Sequence, residues 1–233
     1  KIYSWGRNRE GQCGLGHFYD IKKPTLIPFF EYELGDDEHI SYISAYSDHC
    51  LAITNHGNIY SWGNNRARQC GLGKRASSKI YMPRRIECDL DKNDSMKLIC
   101  AGDRHSVFIS SHGVIFCCGQ NKFGECGLSS KKPSRVVVPT PILSFKDPLR
   151  DDERIIDVVA SDHTVILTNL GAAYSWGKND EGQCSYAHEF YYQHVTCPSR
   201  IRFLSEPVDR VHVTFIHPLF LFAQDKQLLF TWG

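Results

Sequence analysis

No stretch of this chain is long and apolar enough to cross a bilayer as a helix, because the longest candidate, Val211 to Ala223, is broken by His212, Thr214, His217 and Pro218. No charged start followed by an apolar run and a small-residue cleavage site opens the chain, so the sequence offers no argument for secretion. An excess of one charge is missing too: Lys and Arg number 27 against 26 Asp and Glu in 233 residues. No global field therefore draws in nucleic acid or an anionic membrane, and any electrostatic partner has to be met by a local patch. Paired Cys-x-x-Cys knuckles, a Gly-x-x-x-x-Gly-Lys phosphate loop and a Gly-x-Ser-x-Gly elbow are all lacking, and His188-Glu189 has no second histidine at zinc-peptidase spacing. The expectation is a protein without metal, cofactor or catalytic chemistry, and without insertion into a membrane.

What the chain does have is a period. The motifs Tyr3-Ser4-Trp5-Gly6, Tyr60-Ser61-Trp62-Gly63, Phe116-Cys117-Cys118-Gly119, Tyr174-Ser175-Trp176-Gly177 and Phe230-Thr231-Trp232-Gly233 place their marks at 5, 62, 118, 176 and 232, separated by 57, 56, 58 and 56 residues. One structural unit copied four times, with a fifth begun, is the physical meaning of so steady a spacing. The units read as 2–58, 59–114, 115–172 and 173–228, with 229–233 opening the next. Lys1 is not Met and both ends fall inside the repeated motif, so a longer parent protein is expected.

A glycine-rich segment follows each of the first three marks, as in Gly6-x-Asn8-x-x-Gly11-Gln12-Cys13-Gly14-Leu15-Gly16. Gly and Asn tolerate positive φ, so these segments read as tight turns after a strand. Ahead of the marks lie His49-Cys50-Leu51-Ala52-Ile53-Thr54, His105-Ser106-Val107-Phe108-Ile109-Ser110 and His163-Thr164-Val165-Ile166-Leu167-Thr168, each followed by a turn with glycine. That is a strand–turn–strand pattern, and three or four short strands per unit describe a propeller blade.

The run Tyr-Ser-Trp-Gly-x-Asn-x-x-Gly-Gln-Cys-Gly-Leu-Gly, with a histidine-bearing strand thirteen residues ahead of the next Trp, resembles the repeat of the regulator of chromosome condensation family over essentially the whole chain. The resemblance implies an all-β propeller of four-stranded antiparallel blades, about seven to a ring. Four units and a beginning do not close such a ring, so the chain reads as an arc. Its open sheet edges would be covered by missing blades or by a partner. The resemblance also carries an alternative function, guanine-nucleotide exchange on a small GTPase, and a second alternative, chromatin association, which the near-neutral charge disfavours. Nucleic acid is accordingly not the expected partner. A protein–protein interaction scaffold is the leading reading.

Ten cysteines are present, and Cys13, Cys70, Cys126 and Cys184 share one repeat position, where the resembling family usually has Leu. They read as buried packing positions and not as a disulfide framework, which favours the cytoplasm or nucleus. Trp5, Trp62, Trp176 and Trp232 are expected in equivalent core places, and His49, His105 and His163 as structural histidines rather than metal ligands. Two surfaces are candidates for a partner. One is the basic run Arg66, Arg68, Lys74, Arg75, Arg84 and Arg85 of the second unit, which also holds Lys79 and no acid. The other is the aromatic loop Tyr186, Phe190, Tyr191 and Tyr192 in the fourth unit, where the motif degenerates.

Overall fold

The computed structural model describes residues 1–146, 148–184, 194–202, 204, 207–212, 220–223 and 228–231. Trp232 and the loop residues Tyr186, Phe190, Tyr191 and Tyr192 lie outside the described residues.

The architecture is a row of antiparallel sheets. A leading pair joins β1 (Tyr3–Gly6) to β2 (Ile21–Leu26), and a five-residue helix α1 (Phe29–Glu33) follows. Blade I contains β3 (Ile40–Tyr46), β4 (His49–Thr54), β5 (Ile59–Asn64) and β6 (Lys79–Ile86). Blade II contains β7 (Met96–Ala101), β8 (His105–Ser110), β9 (Ile115–Gln120) and β10 (Arg135–Pro141). Blade III contains β11 (Ile155–Ala160), β12 (His163–Thr168), β13 (Ala173–Gly177) and β14 (Val195–Arg200). A trailing trio, β15 (Arg210–His212), β16 (Phe220–Ala223) and β17 (Leu228–Thr231), completes the described strands.

The units read from sequence run out of phase with these sheets. The unit 59–114 supplies the third and fourth strands of blade I and the first two of blade II. The Tyr-Ser-Trp-Gly motif forms a third strand, so a repeat counted from it bisects every blade and spans the seam to the next.

Burial explains the residue types. The middle strands β8, β9 and β12 lie between two neighbouring blades and are covered on both faces, so they read as continuous apolar runs instead of alternating ones. The core is correspondingly layered: Trp62, Tyr60, Phe30 and Cys70 cluster at the first seam, Phe108, Phe116 and Cys118 at the second, and Trp176, Tyr174, Cys117 and Cys126 at the third. The adjacent Cys117 and Cys118 face opposite seams, as strand geometry requires.

The outermost strands carry Pro24, Pro83, Pro139 and Pro198, residues that cannot donate to a further strand. Backbone amides of the preceding loop also bond to these strands, Gly16 N to Tyr81 O at 2.8 Å, Gly73 N to Val137 O at 2.9 Å and Ser129 N to Thr196 O at 2.7 Å. The outer edges of the complete blades are thus blunted by proline and capped by their neighbours.

Candidate functional site

Each blade presents two loops on one side of the row: an inner turn joining its first and second strands, and an outer loop joining its third and fourth. The outer loop is built by one asparagine. Asn65 Oδ1 accepts the Cys70 N–H at 3.1 Å while its Nδ2 donates to Ser77 O at 2.8 Å. Asn8, Asn121 and Asn179 take the same role toward Cys13, Cys126 and Cys184. Where the loop leaves the third strand a glycine is required: a Cβ on Gly63, at φ +100°, would lie 2.4 Å from Asp48 O in the inner turn.

Neighbouring blades are pinned by hydrogen bonds that recur in phase. The indole Nε1 of Trp62 donates to Gln12 O of the preceding outer loop at 2.8 Å, and that of Trp176 to Glu125 O at 2.9 Å. In blade II the position is Cys118, whose thiol reaches Gln69 O at 3.4 Å, joined by Ser106 Oγ at 2.7 Å. A side chain on Gly14 would meet the Trp62 ring at 3.0 Å, so this seam needs glycine there too. Trp5, equivalent in strand position, is 61% exposed and has no acceptor among the described residues, none of whose outer loops covers it.

The histidines also cross the seams. His49 Nε2 lies 2.9 Å from Ser106 Oγ, and His105 Nε2 lies 2.7 Å from Thr164 Oγ1. Ser106 spends its proton on Gln69 O, so His49 must donate to it. Burial holds His49 and His163 down to about 4 and His105 to about 3, which keeps the rings neutral. His163 instead approaches Ser161 Oγ at 3.2 Å, and the residue in phase with Ser106 and Thr164 on the next blade is Phe220, without a hydroxyl. Among the described residues no group of histidine, cysteine and carboxylate side chains could hold a metal ion. Cys13, Cys70, Cys126 and Cys184 are buried, all ten cysteines are free, and burial pushes the Cys70 thiol up to about 12.

The framework leaves a second set of residues that differ from seam to seam. At the first seam Glu10 Oε1 lies 3.2 Å from Lys79 Nζ and 3.6 Å from Arg66, and Asp48 accepts the Gln12 amide at 3.1 Å. At the second seam the residues in phase with Glu10 and Asp48 are Ala67 and Arg104, and Arg135 stands in phase with Lys79. A cleft of about 280 Å³ opens there, lined by Arg66, Ala67, Gln69, Arg104 and Arg135 with Asp48 and Asp103. At the third seam the places of Glu10 and Lys79 are taken by Phe123 and His194, whose ring centroids lie 4.7 Å apart with their planes tilted by 58°.

The structure divides the basic run read from sequence. Arg66, Arg68, Lys74 and Arg75 belong to the outer loop of blade I, and Arg68 is turned inward, donating to Ala76 O at 2.7 Å. Arg84 and Arg85 lie toward the far end of β6, roughly 20 Å from Lys79 at the rise of an extended strand, where Arg85 donates to Asn58 at 2.6 Å and Asn58 in turn to Glu38 at 2.6 Å. A linear run of charge along an edge strand is not one patch. Arg104 and Arg135, which line the same cleft as Arg66, stand out only when the units are compared column by column.

Residues 1–53, 56–109 and 112–167 match the model of the regulator of chromosome condensation (RCC1) repeat, and a second model of that description matches 40–69, 96–125 and 158–183. The chain belongs to the RCC1-repeat family. Among relatives it is 28% identical over 236 residues to the ultraviolet-B receptor UVR8 of Arabidopsis thaliana, covering 100% of this chain and 49% of the receptor. It is 27% identical over 189 residues to the guanine nucleotide exchange factor SRM1 of Saccharomyces cerevisiae, covering 76% of this chain and 37% of that protein. The chain thus spans half or less of these relatives. The crystal structure of human WBSCR16 superposes with a TM-score of 0.80 at 20% identity, over 99% of this chain and 56% of that one, a likeness of fold. No described helix of this RCC1-repeat chain is long and apolar enough to cross a membrane.

Proposed function

We propose that this RCC1-repeat arc is a non-enzymatic protein–protein interaction scaffold. The observation that carries the reading is the division of labour within the repeat: the in-phase Asn, Trp, His and Cys side chains are consumed in holding loops and seams, while Glu10, Ala67 and Phe123, and Asp48, Arg104 and Asp162, change character from seam to seam on one side of the row. A rigid frame with variable loops is the arrangement that recognition uses. The aromatic residues Tyr186, Phe190, Tyr191 and Tyr192 remain proposed partner contacts on compositional grounds. The exposed Trp5 supports a covering blade or partner at the leading face. Free thiols throughout favour a reducing compartment, cytoplasm or nucleus.

Affinity capture by the intact chain, compared with a variant carrying Arg104→Glu and Arg135→Glu, tests the scaffold. A partner held by the parent and lost by the variant, with the melting temperature unchanged, is the expected result. The alternative, exchange on a small GTPase, draws its support from the relationship to SRM1. Such a factor works by differential binding to the nucleotide-free state and needs no catalytic triad. Accelerated release of a fluorescent guanine nucleotide from any of a panel of small GTPases would decide for exchange and against a passive scaffold.

A further inference from the structure

The second seam, between blades I and II, departs from the first in a consistent direction. Where Glu10 neutralises Lys79 at 3.2 Å, the second seam has Ala67 facing the place of Arg135, and no described anion lies within ion-pair distance of that guanidinium. Where Asp48 receives the Gln12 amide at 3.1 Å, the second seam has Arg104. The equivalent amide belongs to Gln69, a residue 2% exposed whose Oε1 accepts the Ala67 N–H at 3.0 Å and whose Nε2 has no acceptor among the described residues. Two carboxylates have been removed and a guanidinium added, while the donor that one of them satisfied is retained.

The surrounding charge points the same way. The outer loops that flank this seam, 64–79 and 120–135, carry Arg66, Arg68, Lys74, Arg75 and Lys79 on one side and Lys122, Lys131, Lys132 and Arg135 on the other. Their one acid, Glu125, is buried and spent on the Phe123 N–H and the Gln120 amide, both at 2.7 Å. Of the cations lining the cleft, Arg66 is held by Glu10 and Arg104 by Asp103 at 3.2 Å, leaving Arg135.

We infer that this cleft is the seat of a carboxylate from an acidic segment of a protein partner, taken between the Arg135 guanidinium and the Gln69 amide. The inference rests on the scaffold reading and names the chemistry of its partner. A planar carboxylate matches a guanidinium and an amide donor in charge and in shape. A nucleic-acid backbone fits less well, because a continuous line of phosphates through a cleft of this size would pass Asp48 and Asp103. The cationic loops then serve to raise the encounter rate.

The repeat supplies its own test. Ala67→Glu puts back the acid that occupies this position as Glu10 at the first seam, and Ala67→Gln fills the same space without charge. Binding of a fluorescein-labelled hexaglutamate peptide to the intact chain is followed by anisotropy at low salt, with hexalysine and a hexauridine RNA as competitors and thermal melts as a check on folding. The expected outcome is a loss of about tenfold or more in affinity for Ala67→Glu and for Arg135→Glu, a change within about threefold for Ala67→Gln, and competition by neither hexalysine nor the RNA. Equal losses for the Glu and Gln variants, an unchanged Ala67→Glu, no binding of hexaglutamate by the parent, or displacement by the RNA would each overturn the inference. Should the peptide fail while the captured partner is still lost on charge reversal at Arg104 and Arg135, the scaffold reading stands and the carboxylate seat alone falls.

Discussion

Removing the hydroxyl of Ser106 should uncouple two blades at a single atom. Ser106 is fully buried, takes the His49 Nε2–H at 2.9 Å and gives its own proton to Gln69 O at 2.7 Å. In Ser106→Ala the Gln69 carbonyl falls back on the weaker Cys118 thiol at 3.4 Å, and His49 loses its acceptor. A change of tautomer gives no rescue, because His49 Nδ1 is also buried without a partner and the proton would be stranded there instead. A stranded buried donor costs about 1–3 kcal/mol and the weakened acceptor about 1 more, so the expected destabilisation is about 2–4 kcal/mol. Urea unfolding with an unchanged slope reads it directly. The in-phase residues serve as controls: Ser106→Thr, as at Thr164, keeps the hydroxyl and should cost under about 1 kcal/mol, and Ser106→Cys, as at Cys50, should fall between. If Ser106→Ala lies within about 0.5 kcal/mol of the parent, the relay does not hold the seam and the reasoning from buried donors fails.

Trp62→Ala, which removes a buried ring and the bond to Gln12 O, should cost about 3–5 kcal/mol by the same assay, whereas Trp5→Ala at an exposed ring should cost under about 1. Acid should destabilise the fold: His49, His105 and His163 are held at about 4, 3 and 4 by burial, so the unfolded chain takes up protons that the folded one excludes. Stability is therefore full above about pH 6.5 and falls as the pH drops toward 4, by about 2 kcal/mol per histidine at pH 5, and His49→Gln should flatten the curve in equilibrium unfolding from pH 7 to 5. A thiol reagent without denaturant should label the half-buried Cys197 first and leave Cys13, Cys70, Cys126 and Cys184 unreacted; rapid modification of the latter four would contradict their packing role.

Periodicity made the strands and the framework residues legible, because each is set by a local need repeated every blade: two covered faces for β8 and β12, a glycine where Gly63 passes Asp48, an asparagine to brace a loop. The blade boundaries were not, since the strongest motif marks a third strand and says nothing about which sheet begins where. The basic run was misgrouped for a related reason: Arg66 and Arg85 are near in sequence, but β6 carries them to opposite ends of a blade. Arg104 and Arg135, separated from Arg66 by 38 and 69 positions, meet it only across a seam.

The bracing asparagines have one more consequence. Asn8, Asn65, Asn121 and Asn179 shape their loops through backbone atoms, so exposed side chains that make no loop contact of their own, Lys74 and Arg75 among them, are not needed for the loop's form. Substitutions there are of the kind that usually change stability by no more than about 0.5 kcal/mol, and changes at separate seams should add independently. Such a chain can change the chemical character of one junction without disturbing its neighbours.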